Sequence, residues 1–187
     1  MRDIKRRMWV CVLVFGCLLA PLAAQSPRAG AVDYAQIRPS IQKLEKGIND
    51  AITTIFGREG VIGRPKGVYL QGYGYSFSFL VNLRWGMINS PMGSFANNSD
   101  ISPEQKKQRI EALKDQLIRI LFSQTTGMPQ PERDKSVTIT AFFEETNLDA
   151  TVSKTMIMSV LKNDIDELGS KQERFNDFKQ RVKIIEY

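Results

Sequence analysis

Between residues 68 and 83 every second side chain is large, and this alternation constrains the fold more than any other feature. Tyr69, Tyr73, Tyr75, Phe77, Phe79, Val81 and Leu83 occupy odd positions, with Gln71 the one polar exception. Gly72, Gly74, Ser76 and Ser78 occupy the even positions between them. A period of two places such rings on one face of a strand, and that face needs an apolar cover. One straight strand of this length would run about 53 Å at ~3.3 Å per residue, too long for a small domain. A bend or bulge at Gly72-Tyr73-Gly74 is therefore expected.

Two helices supply the cover. Ile37, Ile41, Leu44, Ile48, Ile52 and Ile55 recur at spacings of four and three, with Pro39 expected in the first turn and Gly57 at the stop. The second opens at Ser102, an N-cap followed by Pro103 at N1 and by Gln105, which completes a capping box. Its stripe is Ile110, Leu113, Leu117, Ile120 and Leu121, closed by Thr125, Thr126 and Gly127. Strands are expected over 136–143, 155–161 and 182–185, the first two as a hairpin with a long loop. A short helix begins near Asp164, and Phe175 with Phe178 marks another helical turn. The fold class is α+β, a two-layer sandwich. Its sheet is mainly antiparallel with four or five strands, and both long amphipathic helices lie on one face.

The chain has no histidine, and both cysteines, Cys11 and Cys17, lie within its first 24 residues. Arg2, Lys5, Arg6 and Arg7, the apolar run 8–22 and then Ala23-Ala24 have the order of an export signal. The run is shorter than the ~20 residues of a membrane-spanning helix. Cleavage is expected after Ala24, with Ser26 and Ala31 as alternative ends. An uncleaved anchor is the rival reading and the one route to a membrane. A lipoprotein signal at Cys17 is disfavoured by Phe15. Residues 1–24 are thus read as signal peptide, 25–36 as flexible leader and 37–187 as one globular domain, secreted or periplasmic.

Loss of residues 1–24 removes four basic residues and Asp3, leaving 22 basic against 19 acidic, a net charge of +3. That balance predicts no nucleic-acid footprint. Without histidine or mature cysteine the domain has no Cys-His or Ser-His nucleophile system, no His-ligated metal and no disulfide.

The remaining motifs have structural explanations. The glycines of FGREGVIGRPKG, with Arg58, Arg64 and Lys66, follow a helix and precede a strand, the reverse of a phosphate cradle. Glu144 and Glu145 point to opposite faces as strand neighbours. Asp164, Asp166 and Glu167 suit a helix N-terminus. G-x-S-x-G does not occur in the mature chain. No catalytic residue, cofactor or metal is assigned.

The stretch 84–100 holds Trp85, Met87, Ile88, Met92 and Phe95 among Gly, Ser, Asn and Pro without a clean period. Its length marks either a binding loop or a lid over the core. The leading functional expectation is a non-enzymatic domain that binds another envelope or secreted protein through this loop or a sheet edge. A hydrolase with a dispersed Ser/Lys or carboxylate site, and a carrier with an aromatic-lined cavity, are the alternatives.

Overall fold

The computed structural model describes residues 33–58, 60–83, 86–90, 93–97, 101–129, 135–144, 154–168 and 172–187. Residues 1–32, which include the segment expected as a signal peptide, lie outside them. Helix α1 (Tyr34–Phe56) begins within the stretch expected as leader, because the Asp33 side chain accepts the Ala35 N–H and caps it there. Pro39 consequently sits one turn further in than expected, as the sixth helical residue. Gly57 ends the helix at φ 76°, its N–H donating to the Thr53 carbonyl.

The expected bend is a full reversal. Strand β1 (Val61–Leu70) and strand β2 (Gly74–Asn82) pair antiparallel across a tight turn. The Tyr73 N–H donates to the Leu70 carbonyl at 3.0 Å, and Gly72 takes the positive φ, 86°, that the turn requires. The glycine-rich segment after α1, expected as a connection, mostly forms β1, with irregular register between Val61 and Lys66. Strands β3 (Gly86–Ser90) and β4 (Gly93–Asn97) form a separate antiparallel hairpin. Much of the stretch expected to lack regular structure is thus paired.

Helix α2 (Pro103–Gln124) carries the expected capping box, with Ser102 and Gln105 exchanging bonds of 3.3 and 3.1 Å. Strands β5 (Ser136–Glu144) and β6 (Thr155–Leu161) follow, then α3 (Lys162–Leu168), a 3-10 turn (Gln172–Arg174), α4 (Phe175–Arg181) and β7 (Lys183–Glu186). The main sheet runs β1-β2-β5-β6-β7 and is antiparallel except at β2–β5. That parallel pair needs a crossover, and the segment containing α2 provides it. The α+β class follows directly from this order.

One parity of the strands forms the core. Tyr69, Tyr75, Phe77, Phe79, Val81, Val137, Ile139, Ala141, Met156, Met158 and Val160 are all buried. Two register neighbours of this set reach the long helices. Gly67, opposite Phe77, lies against Ile41 of α1, and Glu186, opposite Met156, pairs with Lys114 of α2. Phe122 near the end of α2 holds Phe175 and Phe178 edge-on, at 5.4 and 5.2 Å between ring centroids.

Two polar anchors contribute to the response to alkali. The Tyr75 hydroxyl donates to the Pro129 carbonyl at 2.5 Å, and burial, reinforced by Tyr69, pushes its pKa up to about 12. Burial alone would lower Lys114, but Glu111 at 2.5 Å and Glu186 at 2.6 Å outweigh it and hold the ammonium above its ordinary value. Both groups bind their protons more tightly folded than unfolded. The stability they contribute is complete below the unfolded pKa values and is lost as pH rises through the folded ones. Urea midpoints should therefore fall above pH 10, Tyr75 contributing between its ordinary 10.0 and about 12. Tyr75→Phe should flatten that fall; an unchanged slope would show that the Tyr75 hydroxyl is not the group responsible.

Candidate functional site: an open sheet face

Among the described residues the opposite parity of the sheet is half-buried to exposed along much of its length. Register fixes its rows from β1 to β7. Val68, Ser76, Thr138, Ser159 and Lys183 form one row, and Lys66, Ser78, Thr140, Ile157 and Ile185 form the next. Leu70, Gly74, Ser136 and Leu161 lie on one side of these rows, and Leu80 and Phe142 on the other.

Large apolar side chains on this face are half exposed: Val68 48%, Leu70 46%, Phe142 45%, Leu161 48% and Ile185 56%. The centre carries short hydroxyl side chains, with Thr138 and Ser159 hydrogen-bonded to each other at 3.1 Å. The result is a shallow trough of serine and threonine over β2 and β5, rimmed by aliphatic groups. Its formal charges are Lys66 and Lys183 on the two edge strands and Glu144 at the end of β5. Neither lysine has an ion-pair partner among the described residues.

The residues singled out from sequence lie elsewhere. Trp85 and Met92 fall outside the described residues. Met87 and Ile88 belong to β3 and Phe95 to β4, where the register sets Ile88 opposite Phe95 and Met87 opposite Ala96. The aromatic ladder is core. A Cβ added to Gly67 would come within 3.0 Å of both the Phe77 ring and Ile41, so no cavity separates helix from sheet there. Tyr73 is the exception, 77% exposed at the turn.

The described members of the acidic groups do not converge, and Glu145 lies outside the described residues. Asp164 faces Arg181 at 3.7 Å, Asp166 pairs with the buried Lys162, and Glu144 is exposed. Among the described residues no three His, Cys, Asp or Glu side chains gather as a metal site. No described helix is long and apolar enough to cross a membrane.

Two open grooves follow the seam between α1 and β1. One, of about 590 Å³, is lined by Asp50, Arg58 and Arg64, and the other, of about 430 Å³, by Tyr34, Arg38, Glu45 and Lys66. In the second, Glu45 accepts the Gly67 N–H at 2.7 Å. Together with Pro65, which has no N–H, and the irregular register before it, this bond blunts β1 against strand addition. The open face is the stronger candidate because its described aliphatic side chains are half exposed.

Sequence reasoning passed over this face because period-two reading credits only the stronger parity. The signal was present in the weaker one: Val68, Leu70 and Leu80 at even positions, Phe142 beside Phe143, and apolar residues of both parities in 155–161. Comparison of the chain with protein-family models, curated proteins and solved structures gives no match.

Proposed function

We propose that the chain is an exported, non-enzymatic interaction domain that binds another envelope or secreted protein through the open face of its five-stranded sheet. One observation carries the reading: among the described residues, half-exposed aliphatic side chains surround the short hydroxyl side chains of the central parallel strand pair. A solvated sheet face is ordinarily polar, and contiguous apolar surface rimmed by polar groups marks contact sites. The basic, apolar, small-residue order of residues 1–24 supports the exported half of the proposal.

A photo-crosslinking residue placed at Thr140, in the centre of the face, tests it in the producing cell. A discrete adduct with a second protein is expected from Thr140 and none from Lys107, an exposed position on α2. Equal adducts from both positions, or none from Thr140, would remove the reading.

A further inference from the structure

We infer that the occupant of the open face is an amphipathic helix of a partner protein, apolar along one stripe and acidic along both flanks. The inference rests on the contact surface proposed above and names its ligand. Three properties of the face converge on it.

The first is charge. Lys66 and Lys183 stand at opposite edges, and the rows between them contain no acid, since Glu144 lies beyond them at the end of β5. A second copy of the chain would set lysine-edged surface against lysine-edged surface, whereas an acidic partner complements both edges. The second is width. Lys66 is on β1 and Lys183 on β7, four strand spacings apart, or about 19 Å at ~4.8 Å each. A helix with side chains is about 10–12 Å across, so one helix over β2 and β5 leaves space on each flank for a carboxylate to meet a lysine. The third is relief. Ser76, Ser78, Thr138 and Thr140 are short, so a helix can settle between the aliphatic rims instead of resting on them. A helix seated there would give the parallel pair its second cover and complete a helix–sheet–helix sandwich.

The test uses the full-length chain and a displayed library of 18-residue helices with a fixed apolar stripe and flanks varied among Glu, Lys, Gln and Ser. Selection should enrich Glu on both flanks, and Thr140→Arg should weaken the recovered peptides at least tenfold. Selection against the Lys66→Glu/Lys183→Glu variant should enrich Lys instead. Circular dichroism on Thr140→Arg and on the double variant checks that both remain folded.

Recovered binders insensitive to Thr140→Arg, or no binders at all, would overturn the face itself and with it the proposed function. Binders lost in Thr140→Arg but without acidic bias, or without reversal in the double variant, would overturn the acidic helix while leaving the face standing. Sedimentation of the free chain as a dimer that Thr140→Arg dissociates would assign the face to a second copy. Co-sedimentation with phosphatidylglycerol vesicles, abolished by Lys66→Glu/Lys183→Glu, would assign it to an anionic lipid surface.

Discussion

Gly74→Ala should lower the unfolding free energy by on the order of 3–5 kcal/mol, while Gly72→Ala, two residues away, should cost about 1–2 kcal/mol. Both glycines have positive φ, 111° at Gly74 and 86° at Gly72, so alanine is strained at either. They differ in what the new methyl meets. At Gly72 there is nothing within 4 Å. At Gly74 the added Cβ would fall closer than 3.0 Å to the carbonyl oxygen of Ser136, which is backbone and has no rotamer to escape into.

Ser136 opens the parallel ladder, standing opposite Gly74 and donating its N–H to the Tyr73 carbonyl at 3.1 Å. Displacing it strains the one parallel junction in the main sheet. Urea unfolding of the two variants side by side decides the matter. Equal losses would show that β2 and β5 do not approach closely at this point.

Local chemistry made parts of this fold legible in the sequence. Ser102 and Gln105 form their capping box, and Gly57 stops α1, because these effects need only near neighbours. The core stripes were legible for the same reason. Ile48, Leu113 and Leu117 are fully buried at the centres of the periods that identified them. The turn at residues 71–73 was less legible, because alternation continues through it. Tyr73 keeps the phase of the ladder, yet its ring is exposed while Tyr75 is buried. A bend and a reversal share the same glycines, and the pairing partner that separates them is the upstream segment 61–70.

The open face was illegible for a different reason. Whether Val68, Phe142 and Ile185 are covered depends on which side of the sheet the helices take, a tertiary choice that no single strand records. Only the register joining β1, β2, β5, β6 and β7 shows these residues as one surface. Loop length and composition drew attention to 84–100 instead. Those signals measure departure from regular structure, and a face built of paired strands contains no such departure.

The buried core and the open face should therefore respond very unequally to substitution, and this contrast gives the second large effect. Ile48→Ala and Leu117→Ala each remove methyl groups from fully buried positions, and each should cost about 2–5 kcal/mol through lost transfer energy and residual cavity. Typical domains have only about 5–15 kcal/mol in total, so the double variant, losing about 4–10 kcal/mol, should forfeit a large share of its stability. Leu70→Ser and Leu161→Ser alter side chains of similar size on the open face, 46% and 48% exposed, and each should cost under about 1 kcal/mol. Urea midpoints of the four single variants in the isolated chain make the comparison. If the open-face changes cost as much as the core changes, the face is already covered in the folded protein, and concentration-dependent midpoints would identify a second copy as the cover. If they cost little while abolishing the Thr140 crosslink, their apolar character serves binding and not folding.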